Sequence, residues 1–462
     1  MTSQTVAPSE KSVVEGKSTD LARVLGLGDL VAIVLGAVIG SGIFLVPGVV
    51  LRDVGARGGL GMSIWVVGGV LSLLGALTFG ELGAMMPEAG GIYVYIRDAF
   101  GPFLAFLYGW AQFTVIASGS VATLAVAARV YLGALVPLTP GLEKAVPIVV
   151  IAVFAAVNVW GTRKSAGVQA WATSAKVAAI VVMAILLFAA GRVRAPVAAV
   201  ASVAPVSGIA LLGGAGLALV ATLWSYEGWQ YVTFSAGEAR DPQRLFPLGI
   251  IVGTVGVVVL YLGANAAYVH ALGPVAVAAS DRVAADAMTA AYGPIAGLAM
   301  VVVVEISVCS ALNSVVLTAP RVFYAMGRDG LFFRQLAEVH PRFGTPAFAI
   351  ISSALWAMVL AISGTYQDLF TYVIGTGWAF YGLGALTIFW YRRRRPDAVR
   401  PFRVPGYPVT PALFVLAALA AVIDVIVTQP GKAAAGLGIV LVGAPVYVAW
   451  VRFGRKKMGT SD

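Results

Sequence analysis

Residues 27–51 read LGDLVAIVLGAVIGSGIFLVPGVVL, an apolar run long enough to cross a bilayer and interrupted at its middle by Gly40-Ser41-Gly42. A hydrocarbon core about 30 Å thick takes about 20 helical residues. Counting from Gly28 at about 1.5 Å per residue puts Gly40 about 18 Å deep, near the midplane. Gly-Ser-Gly unwinds a helix easily, and a helix resuming at Ile43 aims free amides and a positive dipole end into the membrane interior. Such an end suits a carboxylate. The competing explanation is close packing, because Gly36 and Gly40 also form a small-xxx-small pair.

The rest of the chain repeats the apolar pattern. Of 462 residues, 60% are hydrophobic and 11% charged, against roughly 25% charged in soluble domains, and the mean hydropathy is +0.91. Spans are predicted near 27–51, 60–86, 102–132, 145–160, 166–190, 208–236, 246–270, 294–323, 346–363, 368–391, 410–427 and 433–451, the fourth being short. The expected fold class is therefore all-α integral membrane, with twelve transmembrane helices. Residues 1–24 are polar and have no signal-peptide core. They form an N-terminal tail, 392–409 a basic loop, 410–451 the last two spans and 452–462 a C-terminal tail. Between spans eight and nine, Asp329 to His340 reads as a short interfacial helix or a plain amphipathic connector.

The net charge of +10 does not point to nucleic acid, because the basic residues are scattered through short loops rather than gathered on one face. Topology accounts for them. With the N-terminus inside, the inner loops and tails hold most of them, from Lys11, Lys17, Arg23 and Arg97 to Arg392, Arg400 and Lys457. The outer loops hold few, among them Arg52, Arg57, Lys144, Arg192, Arg194, Arg282 and Lys432. Both termini are expected to be cytoplasmic. The single cysteine, Cys309, offers neither a disulfide framework nor a metal cluster. No cofactor or metal is expected.

A second interruption falls in span six, at Trp224-Ser225-Tyr226-Glu227-Gly228-Trp229. Matching breaks in two halves, about 25–190 and about 208–391, point to an inverted-repeat transporter with a site at the midplane. Unwound carbonyls there would accept from an ammonium group, which makes the two breaks complementary ends for a zwitterion. The competing explanation is an aromatic cluster with Glu227 near water. Lys176 is the one basic residue deep in a span, roughly 20 Å along span five, and an intramembrane lysine is a functional candidate. It is expected to stand where a bound sodium ion would, bridging span one to Ser307 or Ser310, or to release a proton in the cycle. Otherwise it pairs with Glu305. Glu305 and Ser307 lie roughly 200° apart around a helix, so one lysine cannot easily address both.

Gly40-Ser41-Gly42-Ile43-Phe44, Gly80-Glu81-Leu82-Gly83, Pro87-Glu88-Ala89-Gly90-Gly91, Ser225-Tyr226-Glu227-Gly228-Trp229, Glu238 with Asp241-Pro242, and Pro320-Arg321 through Arg328-Asp329-Gly330 occur in one order along the chain. In this the chain resembles the amino acid/polyamine/organocation superfamily, and its L-type amino acid transporter branch in particular. The resemblance implies a five-plus-five inverted repeat of the LeuT type, with discontinuous helices one and six and alternating access. It also implies an amino-acid substrate, with the carboxylate on amides around Ser41 and Gly42 and the ammonium on carbonyls near Ile39, Trp224 and Ser225. Side-chain choice falls to Ile43, Tyr226, Gly228, Trp229 and Asn313, and Lys176 replaces sodium. Two departures stand out. Glu227 occupies a position where a smaller residue is expected, which leaves cationic substrates open. Animal L-type members join a single-span glycoprotein through a cysteine between spans three and four, and residues 133–144 have none, so no disulfide-linked subunit is expected.

The leading expectation is a sodium-independent exchanger of neutral L-amino acids in a prokaryotic inner membrane. Proton symport through Lys176 or Glu305, and transport of cationic amino acids or polyamines, are the alternatives. An enzyme is disfavoured, because His270 and His340 are the only histidines and no nucleophile-base pair is evident at one depth. A pure sensor would need longer soluble tails.

Overall fold

The computed structural model describes residue 23 and residues 25–193 and 206–457. Lys11, Lys17 and Arg194, and nearly all of the N-terminal tail and half of the C-terminal one, lie outside the described residues. Helices dominate what is described: α1 (Leu27–Val38), α2 (Gly42–Asp53), α3 (Gly58–Met85), α4 (Ile92–Phe100), α5 (Pro102–Leu135, with a π-helical turn at Gln112–Ile116), α6 (Pro140–Val159), α7 (Thr162–Ala190) and α8 (Ile209–Ser225). A 3-10 stretch at Trp229–Glu238 follows α8. Next come α9 (Pro242–Leu272), α10 (Pro274–Ala279), α11 (Val283–Tyr292), α12 (Pro294–Thr318), α13 (Pro320–Arg328), α14 (Ala347–Ser363), α15 (Tyr366–Arg394), α16 (Val409–Thr428) and α17 (Pro430–Lys457). Among the described residues, 10 helices are long and apolar enough to cross a membrane, or 11 spans if α1 and α2, bent by 45° at their break, count as one; α14 is shorter, at 17 residues.

Sequence chemistry sets these boundaries. At Gly101-Pro102, Gly273-Pro274 and Gly293-Pro294, a glycine at positive φ ends one helix. A proline preset for the first turn starts the next. Helix α1 beds into α9 at two glycines one turn apart. A Cβ on Gly249 would stand 2.6 Å from Leu30 Cβ, and one on Gly253 2.6 Å from Val34 Cβ. These glycines let the two backbones approach closely.

Three expectations change. The fourth span is 20 residues rather than short, because Pro140 starts it five residues earlier than its apolar run. The segment Asp329–His340 holds only a 3-10 turn at Arg334–Ala337, not an interfacial helix. Its helical signal belongs upstream, where α13 continues α12 after a single residue. Helices α4, α10 and α11 were not foreseen, since each is too short to register as a span.

Glu81, on α3, is 1% exposed and receives Arg392 Nε at 3.0 Å and Nη2 at 2.6 Å, together with the Val404 amide at 2.7 Å. The basic loop 392–409 is thereby fastened over the end of α3, with Arg392 also over the Tyr407 ring at 4.0 Å. Removing one partner of a buried ion pair strands the other. Glu81→Ala is accordingly expected to cost about 3 kcal/mol, measured as a fall in the melting temperature of the detergent-solubilised protein.

Candidate substrate site

The break in the first span follows from where its hydrogen bonds go. The last α-type bond runs from the Ile39 amide to Leu35 O at 3.0 Å, after which the Gly40 amide turns to Val38 O at 2.9 Å. Gly36 O thus loses its helical partner, and a buried carbonyl must find another. Lys176 Nζ, from α7 and 1% exposed, donates to Gly36 O at 2.8 Å and to Ile39 O at 2.6 Å. Ser307 Oγ, from α12, lies 3.1 Å from Ile39 O and 3.2 Å from Gly40 O, and Tyr261 OH, from α9, donates to Val38 O at 3.0 Å. A cation at the carbonyl end of α1 also complements the helix dipole.

Across the gap, α2 starts at Gly42 with no side-chain cap. The Phe44 and Leu45 amides both bond to Ser41 O at 3.1 Å, which leaves the Gly42 and Ile43 amides outside that turn's bonding. Helix α8 ends opposite at Ser225, and the chain passes through Gly228 at φ +127°. The two breaks meet backbone to backbone. A Cβ on Gly42 would lie 2.6 Å from Ser225 Cα, and one on Gly228 would lie 2.8 Å from the Ala37 carbonyl carbon. Only glycine tolerates both the approach and, at Gly228, the positive φ.

Between the breaks lies a cavity of about 20 Å³ lined by Gly40, Ser41, Gly42, Ser120, Leu124, Trp224, Glu227, Tyr231 and Val315, with Ala37 and Val38. It has room for about one water, so an amino acid enters only if the breaks separate. Electrostatically the cavity is two-ended. The amide end of α2 is positive and the carbonyl end of α8 negative. Glu227 is 6% exposed, and its Oε1 accepts from Tyr381 OH at 2.6 Å and Gln230 Nε2 at 2.5 Å. A separate cavity of about 410 Å³ is lined by Arg23, Glu88, Arg97, Tyr324, Arg328 and Asp329, among others.

The expected residues divide. Gly40, Ser41, Gly42 and Trp224 line the cavity, and Ser225 and Gly228 form its backbone walls. The Ile39 carbonyl already accepts from Lys176 Nζ and lies within reach of Ser307 Oγ, so it is engaged by the protein itself. The Trp224 carbonyl is engaged by the Glu227 amide at 3.0 Å. Ile43 is fully buried and does not line the cavity. Tyr226 turns away to the Trp65 carbonyl and the Trp65 and Tyr261 rings, and Trp229 packs on Phe79, Tyr381 and Phe414. Asn313 sits in a polar seam, receiving Asn158 Nδ2 at 2.7 Å and donating to Gln169 Oε1 at 3.0 Å. Ser310 belongs to the same seam, accepting from Gln169 Nε2 at 3.1 Å, so of the two α12 serines it is Ser307 that shares a carbonyl with the lysine. Glu305 meets Cys309 Sγ at 3.8 Å, and no ion pair joins it to Lys176 among the described residues. Glu227 is buried and lines the cavity. Sequence reasoning missed Ser120, Leu124, Tyr231 and Val315. Ser120 and Leu124 stand just past the π-helical turn, which no residue type announces.

Residues 25–448 match the family described as amino acid permease. Over 444 residues the chain is 29% identical to the serine/threonine exchanger SteT of Bacillus subtilis, covering 96% of this chain and 98% of that one. It is 33% identical over 433 residues to human b(0,+)-type amino acid transporter 1, with 91% and 86% covered. With the human cystine/glutamate transporter it shares 30% over 435 residues, with 92% and 85% covered. The chain belongs to the amino acid permease family, in the L-type branch of the amino acid/polyamine/organocation superfamily, and is a membrane transporter of amino acids rather than an enzyme.

Proposed function

We propose that the protein is a sodium-independent exchanger of neutral L-amino acids that works by alternating access. In this reading it has twelve spans, α1 with α2 and α8 with the following 3-10 stretch being the discontinuous ones and α14 the shortest. Spans one to five (about 25–190) and six to ten (about 208–391) form the inverted repeat, followed by the loop 392–409 and spans eleven and twelve (about 410–451). Both tails are cytoplasmic, the membrane is a prokaryotic inner membrane, and no disulfide-linked subunit takes part. The substrate carboxylate lies on the amides around Ser41 and Gly42. Its ammonium faces the carbonyl end of α8.

One observation carries the sodium-independent part. Lys176 Nζ bonds two carbonyls of the unwound stretch, Gly36 and Ile39, and Ser307 completes the oxygen set. Those oxygens would otherwise suit an alkali cation, and a fixed ammonium supplies the charge without one. Uptake of radiolabelled amino acids into liposomes loaded with unlabelled ones is expected to proceed equally in sodium and in choline buffer. A sodium requirement would sink the reading, as would indifference to the amino acid inside.

Glu227 favours a second reading, in which the cargo is cationic. Its carboxylate lines the cavity and has no basic partner among the described salt bridges. L-lysine and L-arginine in the same uptake screen decide between the two.

A further inference from the structure

One hydroxyl from the start of α15 reaches two residues that line the cavity. Tyr366, the first residue of α15, holds its OH 2.9 Å from Ser41 Oγ and 2.9 Å from Trp224 Nε1. An indole N–H only donates, so the tyrosine oxygen accepts from Trp224 and shares its second bond with Ser41. The rings reinforce this. Phe370 stacks on Trp224 with centroids 6.0 Å apart, and Tyr366 stands edge-on to Phe370 at 5.6 Å. The same end of α15 is anchored, because Asp368 pairs with Lys432 Nζ at 2.6 Å and accepts from Thr365 Oγ1 at 2.6 Å. A single side chain from a third element therefore ties both breaks together through two residues that line the cavity. The Ser41 hydroxyl, at the N-cap of α2, does not cap its own helix.

We propose that Tyr366 is a gating residue that stands in for the substrate carboxylate at Ser41 in the empty carrier, and so makes transport an exchange. The proposal rests on the exchanger reading above, with the Tyr366 end facing outward. Either oxygen can donate in the Ser41–Tyr366 bond; we take Ser41 as the donor, so that a carboxylate seated on the α2 amides competes for its one hydrogen, and an ionised oxygen is the stronger acceptor. Once Ser41 turns to the substrate, Tyr366 keeps only Trp224, and the outer end loosens. The empty carrier stays shut on that side.

Tyr366→Phe keeps the ring and removes the hydroxyl. In liposomes holding the full chain and radiolabelled L-serine, efflux into amino-acid-free medium is expected to rise about tenfold, the equivalent of about 1.4 kcal/mol of lost hydrogen bonding. Efflux against external L-serine should stay within about twofold of wild type, less than one hydrogen bond's worth. Unchanged leak overturns the proposal, as does a parallel fall of leak and exchange. Asp368→Asn, which cuts the Lys432 pair, is expected to raise leak by a smaller factor and covers the case in which the tyrosine variant fails to insert; unaltered leak in it also counts against the latch. If wild type exchanges no amino acid, the exchanger reading fails by itself, and the latch is read without transport. In a Cys309→Ser background carrying Leu124→Cys as reporter, an impermeant maleimide added to intact cells is expected to label about tenfold faster with Tyr366→Phe, from the same hydrogen-bond loss. Equal rates overturn the latch.

Discussion

Lys176→Met is expected to lower kcat/KM for exchange at least about 100-fold, the largest effect of any single substitution in this chain. The ammonium makes two charge-assisted hydrogen bonds to main-chain carbonyls where α1 unwinds. Each such bond is worth about 1.5–3 kcal/mol, and a tenfold change takes about 1.4 kcal/mol. Methionine fills the volume and donates nothing, so Gly36 O is left buried without a partner, while Ile39 O keeps Ser307. The unwound stretch is then expected to rewind or shift, which moves Ser41 away from its position opposite α8. Arginine should not rescue, because the planar guanidinium needs more room than a residue 1% exposed has around it. Initial rates of exchange in liposomes, against the amount of protein inserted, measure this. Exchange within about threefold of wild type would mean that the lysine only fills space.

Gly42→Ala should be nearly as severe, for a steric rather than an electrostatic reason. The added methyl would come 2.6 Å from Ser225 Cα and 2.8 Å from Ser225 Cβ, and backbone cannot step aside as a long side chain can. The amide end of α2 must withdraw from the carbonyl end of α8, which are the two poles of the proposed site. An overpacked contact costs about 1–3 kcal/mol, and here it falls on the geometry that has to fit a zwitterion, so exchange is expected to drop about 100-fold. Gly213→Ala is the control. It adds the same methyl to α8, where nothing stands within 4 Å, and should leave exchange at the wild-type rate. Equal activity of the two variants would show that the approach of the breaks is incidental to transport.

Much of this was legible in the sequence. Composition and apolar runs declare a membrane protein, and Gly40-Ser41-Gly42 with Ser225 to Gly228 mark the places where a helix can break, although close packing and an aromatic cluster account for the same residues. Lys176 was conspicuous because a charge in an apolar span is costly. Less legible were the facing directions. Tyr226 and Trp229 flank Gly228, and nothing in their residue types says that both turn away from the cavity, whereas Glu227 between them lines it. The family resemblance implied a part for Asn313 in side-chain choice. Its partners, Asn158 and Gln169, lie about 150 positions away in the chain, and only folding brings them together.

The sequence by itself determined the class of protein, the positions of the two interruptions and the presence of a lone buried cation, since these depend on local residue chemistry and on the cost of polar groups in hydrocarbon. Tertiary structure alone decided which carbonyls that cation serves, that the two breaks touch at Gly42 and Ser225, and that Tyr366 bridges them. Those facts depend on how helices distant in sequence are rotated and set against one another, and hydropathy carries no information about either.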